Sequence, residues 1–258
     1  MSQAKLYIVG LGPGGPQGIT TQARQALDQA QVVVGYKTYL EMAAELLEGK
    51  EIVSGAMTQE IKRAQAALDL ARQGKVVALV SGGDPGIYAM APVVFELVRQ
   101  QEIPLGPGGV EVEVIPGVPA VAAAAALLGA PLSHDFACIS LSDRLTPWEL
   151  IERRLDLAAQ ADFVIALYNP KSKGRPWQYA RALEILAEHR APGTPVGVVS
   201  RAGRPGQAVR VVELAAADRA PVDMQTVVIV GSSRSFTCQG RMVTPRGYLD
   251  KYGPATGG

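Results

Sequence analysis

Three short segments gather glycine, proline and a single acid in patterns that could hold a small molecule through the backbone. The first is Gly10-Leu11-Gly12-Pro13-Gly14-Gly15, directly after the apolar run 6–9. The second, Gly82-Gly83-Asp84-Pro85-Gly86-Ile87-Tyr88, follows the run 76–80, and the third, Ile115-Pro116-Gly117-Val118-Pro119-Ala120, ends the run 110–115. Glycine admits close approach of a ligand to the backbone, and proline fixes the shape of a turn. Asp84 can accept hydrogen bonds from a ligand or from the amides of its own Asp-Pro turn.

Gly10, Gly12 and Gly15 formally satisfy the GxGxxG dinucleotide pattern. Pro13 and Pro16 oppose that reading, because they interrupt the turn where a helix should present free N–H groups to a pyrophosphate. The second apolar run also ends in Gly35-Tyr36-Lys37, with no acid to hold a ribose. An ordinary glycine turn after a strand remains open at the first motif.

These segments need strands to carry them. Apolar runs at 6–9, 32–34, 76–80 and 110–115 alternate with helical patterns at 20–30, 58–73 and 92–100. In the 58–73 pattern Ile61, Ala64, Leu68 and Ala71 recur at helical spacing, Thr58 is placed to cap and Gly74 to stop. The second half continues with an alanine-rich helix from Ala120 and strands at 136–141, 163–168, 196–200, 208–212 and 226–230. Thr146-Pro147-Trp148-Glu149 reads as a helix start with a capping threonine, and a further helix is expected over 176–190. The fold class is α/β with two sheets. Pro116-Gly117 marks the expected boundary, giving an N-terminal α/β domain 1–116, a C-terminal α/β domain 117–248 and a loose tail 249–258.

Hydrophobic residues make up 48% of the 258 and charged residues 19%, which suits a globular fold rather than a disordered chain. A net charge of +1 offers no global attraction to nucleic acid, so anions must be met by local clusters. Cys138 and Cys238 form no CxxC pair and imply neither a metal site nor a disulfide scaffold. No run reaches the ~20 apolar residues of a membrane span, and residues 1–5 lack a signal-peptide pattern. A cytoplasmic protein without metal, membrane or nucleic-acid partner is expected.

Taken in order, Gly10-Leu11-Gly12-Pro13-Gly14 with Ile19-Thr20, Gly83-Asp84-Pro85 with Tyr88, and Ile115-Pro116-Gly117 with Ala120 resemble the tetrapyrrole methylase family. The likeness runs from Tyr7 to about Tyr248. Leu132-Ser133-His134-Asp135-Phe136, Ile139-Ser140-Leu141-Ser142-Asp143, Tyr168-Asn169-Pro170-Lys171-Ser172, Val230-Gly231-Ser232-Ser233-Arg234 and 242–248 resemble the members that methylate C17 of precorrin-3B. Some members add a cysteine-rich redox module; with two cysteines, this sequence is not expected to perform the preceding oxidation.

The resemblance implies two α/β domains of the tetrapyrrole methylase type with the active site in the cleft between them, S-adenosyl-L-methionine as cofactor, a small-molecule tetrapyrrole substrate and a homodimer. It implies methyl transfer with ring contraction in cobalamin biosynthesis, on precorrin-3B or its cobalt equivalent; a sister enzyme methylating another corrin carbon and a non-catalytic tetrapyrrole carrier are the alternatives. Donor contacts implied are Pro13, Gly83, Asp84, Pro85, Tyr88, Pro119, Ala120, Tyr168, Ala202 and Thr226. Pro119 stands where the family often has serine or threonine, which removes a side-chain hydroxyl from that contact. The substrate's acetate and propionate arms call for cations, and Lys171, Lys173, Arg175 and Arg201 are the candidates, with Ser142 beside them. Contraction requires proton movement at a tertiary alcohol, for which Tyr88, His134, Asp135, Ser142 and Asp143 are candidates by residue type, the choice among them staying open. Asp84, the third acid read as catalytic with His134 and Asp143, is ranked first for the geometry of the donor site. His189, late in a helix, is given no such role.

Overall fold

In the computed structural model, which describes residues 4–56 and 58–253, Lys5–Gly10 forms β1 with every residue after Lys5 buried. Such a strand must be covered on both faces, as in a parallel sheet between helices. The first unit, Met1–Ala120, supplies that cover. It runs β1, α1 (Thr21–Gln29), β2 (Val32–Tyr36), α2 (Lys37–Met42) and β3 (Glu51–Gly55). It continues through α3 (Glu60–Arg72), β4 (Val76–Ser81), α4 (Met90–Gln100) and β5 (Glu111–Ile115).

The sheet order is β3-β2-β4-β1-β5, and every pair is parallel. Period-two alternation divides the core. Leu6, Ile8, Val32, Val34, Val77 and Leu79 pack with Leu68 of α3 and Val94 of α4. Tyr7, Val9, Val33 and Val80 pack on the other face with Ala23 and Leu27 of α1. The Thr20 hydroxyl accepts from the Ala23 N–H at 3.1 Å, capping α1.

Because β4, β1 and β5 are neighbours, the three glycine-proline segments leave the sheet side by side at its carboxyl edge. Gly12 and Gly83 exchange two backbone hydrogen bonds, of 3.1 and 2.7 Å. A methyl group on Gly117 would lie 2.2 Å from the Gly83 carbonyl oxygen, and one on Gly10 would lie 2.5 Å from the same atom. No flexible side chain stands there to yield. The Gly117 N–H donates to Asp84 Oδ2 at 3.2 Å, which keeps residues 117–120 with the first unit although the sequence breaks at Pro116-Gly117.

The second unit is Val121–Gly258. Most of α5 (Ala120–Leu128) belongs to it, followed by β6 (Gly129–Ala130), β7 (Phe136–Ser140), α6 (Trp148–Gln160), β8 (Val164–Tyr168) and α7 (Gln178–Ala187). Then come β9 (Pro195–Ser200), β10 (Ala208–Glu213), β11 (Thr226–Val230), β12 (Phe236–Cys238), β13 (Arg241–Val243) and α8 (Tyr248–Tyr252). Its main sheet is β10-β9-β11-β8-β7, with β7 and β8 parallel and the other pairs antiparallel. Ile165, Leu167, Val196, Val198 and Val228 meet Leu155 of α6 and Leu183 of α7 on one face. On the other, Gly197 leaves room for Leu128: a methyl group at Gly197 would sit 2.3 Å from Leu128 Cδ1.

Several local expectations are corrected. Gln59, rather than Thr58, holds the cap position of α3, and Thr58 has φ 67°. α6 starts at Trp148 behind Pro147, without a side-chain cap from Thr146. A third, three-stranded sheet β12-β13-β6 was not foreseen, nor was the edge strand β3. β12 and β13 are joined at Gln239-Gly240, whose φ values of 47° and 75° are those of a two-residue I′ turn. In the tail, 248–252 are helical, while 254–258 lie outside the described residues.

Arg190 is buried and donates to the carbonyls of Gly231 (3.1 Å), Ala159 (2.8 Å), His189 (3.1 Å) and Phe163 (3.0 Å), with Asp162 Oδ1 at 3.4 Å. Arg190→Met is expected to destabilise this unit by about 3–5 kcal/mol, because Asp162 and the carbonyls lose their partner. Both tryptophans, Trp148 and Trp177, lie in this unit, so urea unfolding followed by tryptophan fluorescence reads the loss. In the first unit, Gly117→Ala is expected to cost about 3 kcal/mol through backbone overlap. Gly49→Ala, with nothing within 4 Å and only a positive φ to oppose it, should cost about 1 kcal/mol, as circular dichroism during thermal unfolding would show.

Candidate functional site

At the carboxyl edge of the first sheet the second and third motifs meet. Gly83 is left-handed (φ 66°), and a methyl group added there would lie 3.8 Å from Ala120 N and 4.0 Å from Pro119 Cα. Asp84 Oδ1 accepts from the Gly86 N–H at 2.8 Å while Oδ2 accepts from Gly117. The carboxylate therefore holds its own loop and staples it to the third motif. Pro85 is buried with its ring against Gly10, and Pro13 is half-buried beside Gly18. Tyr88 is 53% exposed, with φ 52°. Gly83, Asp84, Pro85, Pro119 and Ala120 are thus brought together.

A second set of expected residues lies along one edge of the second sheet, where β7, β8 and β9 end and β11 begins. Tyr168 closes β8, and its hydroxyl accepts from the Val121 N–H at 2.9 Å, near the start of α5. Arg201 and Ala202 follow β9, Ser142 and Asp143 follow β7, and Lys171 and Lys173 follow β8. Lys171, Lys173 and Arg201 are exposed. Among the described residues, seven other than glycine have positive φ; three of these, Tyr88, Asn169 and Arg201, sit in loops leaving sheet edges named above, each at 52°. Strain of this kind persists where surrounding structure fixes it, often at functional sites.

Two expected contacts have other duties. Arg175 is 5% exposed; its Nη1 donates to the carbonyls of Leu141 (3.1 Å) and Asn169 (2.8 Å), and Nη2 reaches Met224 Sδ (3.0 Å). Burial pushes its pKa below the usual arginine range, against the pull of the Asp143 carboxylate. It clasps two loops from inside and is not presented to an anion. Thr226 is 2% exposed, and its hydroxyl is engaged by Asp223 Oδ1 (2.8 Å), Asp223 N (3.1 Å) and Ser200 Oγ (2.8 Å). A contact from Thr226 would have to use backbone atoms.

His134 is not brought to this edge. It precedes β7 whereas Asp143 follows it, and five strand residues separate the ends by roughly 15 Å. His134 instead lines a pocket at the opposite edge with Asp135, Asp162, Phe163, Arg234 and Thr244, and its Nδ1 accepts from the Asp135 N–H at 2.8 Å.

Sequence reasoning missed three residues that shape the second edge. Gln178, 2% exposed, donates from Nε2 to Asp143 Oδ2 at 2.9 Å. Asn169 donates from Nδ2 to Ser140 Oγ at 3.0 Å, and Ser200 pairs with Thr226. Their partners are 26–35 residues away in the chain, so only strand pairing reveals them. Among the described residues no cluster of three or more His, Cys, Asp or Glu side chains could hold a metal, and no helix is long and apolar enough to cross a membrane.

The sequence matches the family Tetrapyrrole (Corrin/Porphyrin) Methylases over residues 5–218. It is 49% identical over 243 residues to the probable cobalt-factor III C(17)-methyltransferase of Salmonella typhimurium, covering 94% of this chain and 99% of that relative. It is 47% identical over 250 residues to the cobalt-factor III methyltransferase of Priestia megaterium, where 97% of this chain spans 46% of the relative's length. Among solved structures, the methyltransferase CobJ superposes with a TM-score of 0.84 at 40% identity, covering 93% of this chain and 99% of that one. With its glycine-proline loops set on adjacent strands and a match of this extent, the chain belongs to the tetrapyrrole (corrin/porphyrin) methylases.

Proposed function

We propose that the protein transfers a methyl group from S-adenosylmethionine to C17 of a precorrin-3-type macrocycle, with ring contraction, in cobalamin biosynthesis. The observation that carries this reading is the convergence of three backbone loops at the ends of β4, β1 and β5, with Gly83 against Pro119 and Ala120. The residues present suit such a donor. Gly83 offers a backbone surface without a side chain, and the Asp84 carboxylate fixes the loop that carries it. When bound, the sulfonium supplies an electrophilic methyl group that needs no metal or covalent nucleophile.

The chain's own task is then to orient the donor and exclude water, a positioning effect worth several kcal/mol. Gly83, Asp84, Pro85, Pro119 and Ala120 would hold it in the first unit, with Pro13 and Tyr88 at the margin. Tyr168, Ala202 and the backbone of Thr226 are the contacts assigned to the second. Lys171, Lys173 and Arg201, all exposed, suit the substrate's carboxylate arms. Asp143 is assigned the proton movement at the tertiary alcohol, and Ser142 the neighbouring contact. A cytoplasmic homodimer belongs to the same reading; among the described residues neither Cys138 nor Cys238 is in a disulfide, which suits a reducing compartment.

Incubating the protein with S-adenosylmethionine and either precorrin-3B or cobalt-factor III tests this. From precorrin-3B the expected product carries one added methyl at C17 and an acetyl carbon from the displaced ring position, and from cobalt-factor III one added methyl at C17, read by mass and carbon-13 NMR. Methylation at another carbon would overturn the position assigned. Binding of both ligands without release of S-adenosylhomocysteine would overturn the catalytic reading.

Asp84→Ala is expected to weaken S-adenosylhomocysteine binding about tenfold or more in calorimetry, since two loop amides lose their acceptor. Asp84→Asn should fare little better, because either orientation of the amide turns an NH₂ toward one of those N–H groups.

A further inference from the structure

We propose that Gln178 is a positioning residue for the reaction, holding Asp143 in both of its protonation states. The proposal rests on the assignment of proton movement to Asp143 made above.

Gln178 opens α7 and is 2% exposed, so its carboxamide is placed by packing. Nε2 donates to Asp143 Oδ2 at 2.9 Å. Oε1 is also buried and has no donor among the described residues. A buried acceptor left without a donor is costly, and such groups are rare. The two ends of the amide explain its orientation. Turned the other way, Oε1 would face the Asp143 carboxylate oxygen across the same short distance, acceptor against acceptor. The carboxylate therefore selects the observed orientation.

The preference reverses once Asp143 carries a proton. Asp143 O–H is then a donor, and a half-turn of the amide presents Oε1 to accept it. A carboxamide is the side chain that can meet both forms of a carboxyl group, as donor to one and acceptor from the other. Asp143 in this role takes a proton from the substrate hydroxyl: one O–H bond breaks there, one forms on Asp143, and the bonding pair remains on the substrate oxygen. The proton passes to water after turnover.

The surroundings of the pair are fixed. Arg175 ties the loop after β7 to the loop after β8 by donating to Leu141 and Asn169, and Trp148 meets Trp177 edge to face at 4.9 Å. The loop of Asp143 and the helix start of Gln178 are thus joined on both sides of the hydrogen bond. A general base must be held at hydrogen-bond range in a defined direction, and this is how the second unit does so.

A double-mutant cycle tests it, with kcat and KM measured for wild type, Gln178→Leu, Asp143→Asn and the double variant. Asp143→Asn is expected to lower kcat about 100-fold. Gln178→Leu should lower kcat about tenfold with KM for S-adenosylmethionine unchanged. The double variant should match Asp143→Asn alone, because Gln178 acts through Asp143. Losses that multiply, a change confined to KM, or no loss in Gln178→Leu would each overturn the proposal. Full activity in Asp143→Asn would overturn it together with the role of Asp143, while an inactive wild type would overturn the reading beneath both. Should Gln178→Leu fail to fold, Gln178→Met, of similar length and without the amide, takes its place in the same cycle.

Discussion

Three backbones meet so closely that neither Gly10 nor Gly117 could carry a side chain. At the ends of β4, β1 and β5 the Gly83 carbonyl lies 2.2 Å from where a methyl on Gly117 would be and 2.5 Å from one on Gly10. The rest of the first unit can be read from that constraint. The strand order must bring β4, β1 and β5 together, and the strands must be apolar on both faces to pack between their helices. The amides freed by such tight turns need acceptors, and Asp84 supplies two of them. What looks in the sequence like a ligand-binding glycine pattern is first a packing requirement. A ligand surface follows from it, because a loop locked by its neighbours presents backbone in one conformation only.

The second unit solves the same problem with arginine. Arg190 and Arg175 are both buried, and each directs its N–H groups at backbone carbonyls, those of strand-end loops and, for Arg190, also of the last turn of α6. The guanidinium suits this, since it carries five donors in a rigid fork while a lysine presents a single point of charge. Desolvation disfavours both cations, as the lowered pKa values of Arg175 and Arg190 record. The opposing charges are Asp143 for one and Asp162 for the other. Residue type alone cannot separate such an arginine from one offered to a substrate: Lys171, Lys173 and Arg175 are near neighbours in sequence, yet one points inward and two are exposed.

Strands made of continuous apolar residues were legible from sequence, because burial on both faces leaves no other composition for them. β3 was not, since its residues at the sheet edge are largely exposed, and β6, β12 and β13 are too short for a periodic signal. The glycine-proline motifs were legible as loops, and their order along the chain marked the family. Which side chains face a ligand was less legible. His134 and Asp143 flank the same strand in sequence, but a strand has two ends, and its length carries them to opposite edges. Thr226 has the right type and place, but its hydroxyl is consumed by Asp223 and Ser200, partners set by the register of β9 and β11. Gln178 gave no signal, because a glutamine at a helix start is unremarkable until the opposite carboxylate is known.

The two edges differ in chemical character, and the difference is consistent with a reaction that uses two kinds of assistance. At the first unit's edge the motif loops bring in one charged side chain, Asp84, and both of its oxygens are engaged by loop amides. Alignment of an already electrophilic methyl group asks for nothing more, since its transfer needs geometry and the exclusion of water rather than a proton donor. The second unit's edge carries a carboxylate held by an amide, a buried guanidinium beside it and exposed cations in loops leaving the same edge. Those groups suit the proton movement and the polyanionic substrate proposed for this edge. A net charge near zero conceals this arrangement, because the cations that matter act over a few ångströms and are balanced elsewhere on the surface.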